Sequence, residues 1–266
     1  MSRSLIVSVC DYSGAWSKPF ADAGELVLQV DPKLDPACDH GGYGYGYEGS
    51  GKVAPLGPNT LGIAWTAQQL ADAISDEGGY FLDQLCRWHA ESVECRGLLL
   101  APPCTDYSSS GARWFSAKDA DGRTEASNKI IRSCLSLVDL LSPDWWCLEN
   151  PVGRLRRCVP EVGDIKMRFD PTDYALLADR CDVEKEAMTK RTCLYGDFNT
   201  ELFQARIEPV MYTDSKGNRG SWQWMHLGGK SERTKELRSM TPTGFARAFH
   251  EAQSTTPPPR SYKPNL

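Results

Sequence analysis

One thiol and one carboxylate stand out for the positions they hold. Cys104 follows Ala101-Pro102-Pro103, directly after the apolar run Gly97 to Leu100. Each proline fixes its own φ and removes a backbone donor, so the strand stops and the thiol sits at a stiff turn. Glu149 closes a second apolar run, Trp145 to Leu148, and leads into Asn150-Pro151. The indoles of Trp145 and Trp146 would desolvate its carboxylate and raise its pKa. A thiol beside a carboxylic acid that keeps its proton suits covalent catalysis assisted by proton transfer. The chain has ten cysteines with no CxxC pair and no regular spacing. Apart from Cys104 they read as reduced thiols, mostly small buried hydrophobes, with neither a disulfide framework nor a metal site.

These residues need a scaffold that brings them together, and the hydrophobic pattern supplies one. Ser4 to Val9 reads as a buried strand ending at Asp11, followed by Ser13-Gly14. Trp16, Phe20 and Ala23 have helical spacing before Gly24, and Leu26 to Val30 is a second buried strand that ends at Asp31. Strand, glycine turn, helix, strand and acidic residue is the order of a nucleotide-binding βαβ unit. Residues 60 to 95 read as mostly helical, parted at Gly78-Gly79, and Thr124 to Leu141 as an amphipathic helix with Ile130, Ile131, Leu135, Val138 and Leu141 on one side. Such alternation predicts an α/β fold with a mostly parallel central sheet, in which ligands bind beyond the carboxyl ends of the strands. Asp11, Asp31, Cys104 and Glu149 all fall at those ends. Residues 38 to 58, rich in Gly and Tyr, read as a surface loop or lid. Gly46, Gly51 and Lys52 have the spacing of a phosphate-binding loop, but Val53 replaces the Mg²⁺-binding Ser or Thr and no apolar strand precedes them.

The segments Ala101-Pro102-Pro103-Cys104-Thr105-Asp106-Tyr107-Ser108 and Leu148-Glu149-Asn150-Pro151-Val152 together resemble the catalytic Pro-Cys loop and the Glu-Asn motif of the DNA (cytosine-5) methyltransferases. The opening DYSGAWSKPFADAG is similar to that family's first cofactor motif, TKRTCLYGDF at 189 to 198 to its basic motif, and residues 228 to 252 to the closing segment of short, phage-type members. The resemblance implies a Rossmann-like, S-adenosylmethionine-dependent methyltransferase acting on a cytosine flipped out of double-stranded DNA. Cys104 would be the nucleophile and Glu149 the acid at N3, while Asn150 would orient the Pro-Cys loop and Arg191 would support the base or its phosphate. Asp11, Tyr12, Ser13, Gly14, Trp16, Asp31 and Pro102 would line the cofactor, and Ser108, Ser109, Arg113, Arg154, Lys190, Arg219, Lys230 and Arg233 would meet the nucleic acid. Residues 105 to 124, with Trp114 and Phe115, would form a mobile loop closing over DNA.

Several features depart from the family's pattern. Gly14 is followed by Ala15 and Trp16 where a second glycine is usual, no Gly-Asp motif for adenine stands between 38 and 95, and Cys193 replaces the second arginine of the basic motif. The resemblance divides the chain into a catalytic and cofactor-binding part (1–194), a small target-recognition insertion (195–229), a closing segment (230–254) and a Pro-rich tail (255–266). So small an insertion predicts a short or relaxed recognition sequence. The same fold and mechanism would also serve tRNA cytosine, a free nucleotide or a modified alkyl donor. A non-catalytic binder of nucleic acid or cofactor leaves Cys104 and Glu149 together unexplained.

Charge and length agree with this reading. The net charge of -5 over 266 residues is unevenly spread: residues 1 to 100 carry -7, residues 101 to 150 carry -2 and residues 151 to 266 carry +4. The basic last part can therefore face phosphate. No apolar run approaches the roughly 20 residues of a membrane span, and the N-terminus turns acidic too soon for a signal peptide, so a cytoplasmic, monomeric protein without membrane or metal partners is expected.

Overall fold

The computed structural model describes residues 2–34, 45–46, 52–77, 81–82, 92–227 and 231–255. In chain order the elements are β1 (Ser2–Val9), α1 (Lys18–Asp22), β2 (Leu26–Val30), β3 (Tyr45–Gly46), β4 (Lys52–Gly57), β5 (Thr60–Ile63), α2 (Ala67–Glu77) and β6 (Ser92–Leu100). A 3₁₀ turn (Ser109–Trp114) leads to α3 (Phe115–Ala120), α4 (Arg123–Leu141), β7 (Trp145–Pro151), α5 (Leu155–Cys158) and β8 (Ile165–Phe169). The last part holds α6 (Val183–Glu186), β9 (Thr192–Asp197), β10 (Tyr212–Thr213), β11 (Arg219–Gly220), α7 (Trp222–His226), α8 (Glu232–Ser239) and α9 (Thr243–Thr255).

Nine strands form one sheet in the order β3-β4-β5-β2-β1-β6-β7-β9-β8. The five strands β5, β2, β1, β6 and β7 run parallel, and β9 lies antiparallel between β7 and β8. The chain moves outward from β1 through β2 to β5, then returns and moves the other way through β6 to β7. That reversal is a topological switch point, with its crevice outside the carboxyl ends of β1 and its neighbours. The fold is Rossmann-like, the expected α/β architecture with a mostly parallel central sheet, and has a reversed strand near one edge.

The parallel strands read as apolar runs because both faces are covered. Leu5, Val7, Val9, Leu26, Leu28 and Val30 pack with Leu70, Ile74, Ile131, Cys134 and Leu137 from α2 and α4. On the other face Ile6, Val27, Leu99, Trp145 and Cys147 meet Trp16, Phe20, Phe245 and Phe249 from the α1 region and α9. The buried side of α4 carries Ile131, Cys134 and Val138, one helical stripe; Ile130, expected on that side, is 37% exposed.

Three expectations about the middle of the chain change. Lys52–Gly57 is a strand, not loop, and pairs antiparallel with β5, so Lys52 opens a sheet strand and not a helix that could cradle phosphate. Thr60–Ile63 is a strand paired with β2, which leaves α2 shorter than the helical pattern suggested. Residue 194, expected as a boundary, lies inside β9.

Helix α9 returns from the end of the chain to close the second face. Its N-terminus is fastened by a carboxylate from α6: Glu186, 7% exposed, accepts from the Thr243 backbone N (2.6 Å), the Thr243 hydroxyl (2.8 Å) and the Gly244 backbone N (3.0 Å). A negative group there satisfies otherwise unpaired N–H groups and the positive end of the helix dipole. At the other end Gln253, 1% exposed, exchanges two 2.9 Å hydrogen bonds with the backbone of Asn199. Replacing Glu186 with Ala removes the acceptor but leaves the donors buried, and is expected to cost about 2–4 kcal/mol, read as a lower midpoint of urea unfolding.

Candidate functional site

The turn after β1 is built from polar residues set into apolar strands. Ser8 and Gln29 lie on the face of β1 and β2 that looks toward α1. The Asp11 carboxylate accepts from the Ser8 hydroxyl (2.8 Å) and the Ser17 hydroxyl (3.0 Å). The Gln29 amide donates to the backbone carbonyls of Asp11 (2.5 Å) and Tyr12 (3.1 Å). Burial pushes the Asp11 carboxyl up, and the two serine hydroxyls work against it. Gly14 adopts φ +65°, and a Cβ there would lie 2.9 Å from Gln29 Oε1, so this turn needs glycine. Asp11 is thus an internal organiser with its oxygens already engaged. Ser13 belongs to the same turn, its hydroxyl 3.4 Å from Asp11 Oδ1.

Beyond that turn the groups open outward. Tyr12 is 45% exposed, and the Lys33 ammonium lies 5.9 Å from its ring centroid. Asp31, at the end of β2, accepts from the Lys33 backbone N at 2.8 Å, and burial raises its carboxyl. An exposed aromatic and a buried carboxylate flanking a glycine turn fit a nucleoside: ring on Tyr12, hydroxyls on Asp31. Trp16, expected to touch the cofactor, is fully buried and packs edge-on against Phe249 at 5.6 Å. Its bulk serves the core under α9, as the helical spacing with Phe20 required.

Cys104 and Glu149 stand on neighbouring strands. Leu100 is paired with Leu148, so the two chain segments leave the sheet side by side. Pro102 is buried beneath the turn, and the Cys104 carbonyl accepts from the backbone N of Tyr107 and of Ser108, both at 3.0 Å. Burial raises the Cys104 thiol, the Glu149 carboxylate raises it further and Lys190 lowers it. Glu149 is itself raised by burial and lowered by Lys190. The cation whose charge reaches this acid is Lys190. Arg191 is turned to Asp170, its Nε donating at 2.7 Å.

Asn150 was expected to orient the Pro-Cys loop. Its side chain is fully buried, and neither Oδ1 nor Nδ2 has a hydrogen-bond partner among the described residues. The fastening is done by backbone and by Arg154. Ser109 N donates to Val152 O at 3.0 Å and Arg154 N to Tyr107 O at 3.0 Å. The approach is so close that a Cβ on Gly153 would lie 1.9 Å from the Tyr107 carbonyl oxygen. The Ser109 hydroxyl also donates to Val152 O (2.9 Å), so Ser109 is a staple, while the Ser108 hydroxyl stays exposed beside that of Ser110.

Arg154 was placed among the nucleic-acid contacts, and the structure buries it instead. Its guanidinium donates to Asp106 O (3.0 Å), Asp119 Oδ2 (2.8 Å) and Thr124 Oγ1 (2.8 Å), and lies 3.8 Å from the centroid of Phe115. Lys118 adds an ion pair to Asp106 at 2.9 Å and a bond to Thr105 O at 2.5 Å. Burial tends to raise the Asp106 carboxyl, but the Ser127 hydroxyl and Lys118 together bring it below the usual range. Residues 105 to 124 are therefore a folded, clamped segment rather than a free loop. Its outer tip is open: Trp114 is 55% exposed and carries the Arg113 guanidinium 5.2 Å from its ring.

The remaining basic candidates scatter. Arg219 is exposed on the β10–β11 hairpin, Lys230 lies outside the described residues, and Arg233 lies on α8 with its side chain likewise undescribed. Sequence reasoning passed over Ser8, Gln29, Ser17 and Lys118. Ser8 and Gln29 had a visible signal, a lone polar residue near the carboxyl end of an otherwise apolar strand. A cleft of about 550 Å³ lined by Glu25, Arg96, Asp144 and His250 lies at the opposite ends of the strands, away from this chemistry.

No family model matches the chain, and no curated protein matches it. Among solved structures it is similar to an E. coli prophage-encoded protein provisionally assigned as a DNA modification methyltransferase. The identity is 15% and the TM-score 0.43, with 89% of this chain and 69% of the other covered. At that score the likeness assigns no function, which must come from the residues themselves.

If Arg154 holds the 105–124 segment to the sheet, Arg154→Leu should speed amide hydrogen exchange in that segment while leaving β1 and β2 protected. Unchanged exchange there would assign the clamp to the backbone bonds alone.

Proposed function

We propose that this chain is a DNA cytosine-5 methyltransferase that uses S-adenosylmethionine and acts through a covalent adduct of Cys104. The observation that carries the reading is that Cys104, just past β6, and Glu149, on β7, leave paired Leu100 and Leu148 side by side, with the Glu149 charge reaching the thiol, next to the crevice flanked by Tyr12 and Asp31. Cytosine C5 is a weak nucleophile until the ring is activated. The Cys104 thiolate adds to C6, forming the S–C6 bond and moving electron density to C5. Glu149, whose carboxyl is pushed up by burial, would hold a proton at N3 and neutralise the charge that gathers there. S-adenosylmethionine, when bound, supplies an electrophilic sulfonium methyl group for C5. Removal of the C5 proton re-forms the C5–C6 double bond and expels Cys104 as thiolate.

Tyr12, Asp31 and the Gly14 turn are the residues that would hold the cofactor. The target atom is inaccessible in stacked duplex DNA, so the base must be extruded at a cost of a few kcal/mol. Trp114 and Arg113, exposed at the tip of the clamped segment, suit the vacated stack: an aromatic plane with a cation on it. Asn150, buried with an unsatisfied amide beside the pair, supports the reading as well, because such a group gains when binding or closure completes its hydrogen bonds. The insertion offers one two-residue-strand hairpin and the short α7, with Arg219 exposed. A recognition sequence no longer than about four base pairs is expected, since base-edge readout needs several placed side chains.

Trapping on DNA containing 5-fluorocytosine tests the chemistry. The wild type should form a covalent adduct only with S-adenosylmethionine present, and Cys104→Ala should form none; an adduct that survives that substitution removes the assigned nucleophile. Mass spectrometry of nucleosides from treated DNA reports the base, the position and the transferred group together. Deep sequencing of methylated random DNA checks the recognition length, and a longer consensus sinks that part.

A further inference from the structure

We infer that Lys190 is the working cation of the Cys104–Glu149 pair, a positioning residue that acts by holding positive charge over both from its seat before β9. The inference rests on the function proposed above and deepens it at the same site.

The sheet order sets the three groups in a row. Cys104 follows β6, Glu149 lies two residues before the end of β7, and Lys190 precedes β9, the next strand along, in which Thr192 is paired with Pro151. Val152 N donates to Arg191 O at 3.2 Å, so the backbone beside Lys190 is tied to the segment just past Glu149. Other cations of this region are committed. Arg191 bonds Asp170, Arg154 is buried in its clamp, and Lys118 pairs with Asp106. Position 193, where the resembled basic motif carries arginine, holds a cysteine that is 1% exposed. Lys190 is partly exposed and uses one of its three ammonium donors, on Arg238 O at 2.9 Å. That carbonyl lies in the last turn of α8, the negative end of the helix, which suits an ammonium. Glu236 on the same helix reaches Lys33 at 3.2 Å, so α8 spans from the acceptor of Lys190 to the end of β2.

Charge balance explains why a cation is needed. The reactive form has a thiolate on Cys104 and a proton on Glu149, one net negative charge in a partly buried site. The groups that act on the thiol are Glu149 from β7, Asp106 from its own loop and Lys190; Glu149 and Asp106 raise it, and Lys190 lowers it. Asp106 is already met by Lys118. Removing Lys190 takes away the side-chain cation whose charge favours the thiolate.

The test is peptide-resolved alkylation of Cys104 by iodoacetamide across pH in the full chain, for wild type, Lys190→Gln and Lys190→Arg, with thermal unfolding as a check. Lys190→Gln should move the Cys104 midpoint upward and slow its alkylation at neutral pH about three- to tenfold. Lys190→Arg should restore both. Lys190→Ser gives the same readout should Gln perturb the fold. In methyl transfer, Lys190→Gln should lower kcat and shift the pH profile upward with the KM for cofactor unchanged. A Lys190→Gln titration that superimposes on wild type overturns the inference, as does a Lys190→Arg shift as large as that of Gln. If alkylation shifts as expected but no methyl transfer or adduct is found with any variant, the charge role stands and the proposed reaction falls.

Discussion

Everything at the site depends on one close approach, the contact of the backbone at Gly153 with the carbonyl of Tyr107. A side chain at 153 cannot fit there, and the contact welds the segment after β6 to the segment after β7. A parallel sheet guarantees only that neighbouring strands end at the same edge. It does not fix the segments beyond those ends, and a thiol and a carboxyl that must act on one ring need tighter control than two free loops provide. Backbone bonds from Ser109 and Arg154 supply it, and the Arg154 guanidinium extends the weld to α3 and α4. A buried cation is costly unless its donors are met, and here three acceptors and an aromatic face meet them.

The two halves of the site use opposite strategies toward charge. On the cofactor side, Asp11 is spent inside the turn, with Ser8, Ser17 and Gln29 satisfying the buried groups, so Asp31 and Tyr12 are left to meet a ligand. On the catalytic side nothing comparable neutralises Glu149. Burial pushes its carboxyl up, and the charge of Lys190 works against that. Neighbouring Cys104 is raised by burial as well, and next by the Glu149 charge. The two halves are bridged by α8, a helix none of whose described side chains is buried, bonded to one side through Glu236 and to the other through Arg238. A helix with no buried stripe takes its position from such end contacts rather than from the core.

The central strands are legible in the sequence because burial on both faces writes them as unbroken apolar runs, and the proline pair and the Glu-Asn-Pro step mark where two of them stop. Strands at the sheet edge carry no such mark. Thr60–Ile63 merged with the helical pattern that comes after it, and Lys52–Gly57 hid in a composition of Gly, Pro and Lys that reads as loop. Trp16 has helical spacing with Phe20, but that spacing does not say whether the indole meets a ligand or the core. Arg154 stands in a run with Arg156 and Arg157 that reads as a solvated patch. Which of the three is buried is decided by Asp106, Asp119 and Thr124, 30 to 48 residues away in the chain. Lys190 and Arg191 are equivalent in composition, and only the position of Asp170 separates them.

The clamp also bears on how a substrate would be read. A free loop would have to order itself on each encounter, at a cost of about 1–2 kcal/mol per residue of backbone entropy. Here much of that ordering is already made within the protein by the Arg154 and Lys118 contacts, with Arg113 and Trp114 exposed at the tip. Stacking by an indole accepts any base, and a guanidinium on its face adds attraction to phosphate without sequence preference. The residues that could discriminate are confined to the β10–β11 hairpin and α7, where Tyr212, Trp222 and His226 pack mainly on one another. Under the proposed function, affinity would be drawn from elements that are blind to sequence, and the part able to read sequence would be small and partly occupied with its own packing. On the same proposal, low specificity would follow from the architecture itself and not only from the short insertion.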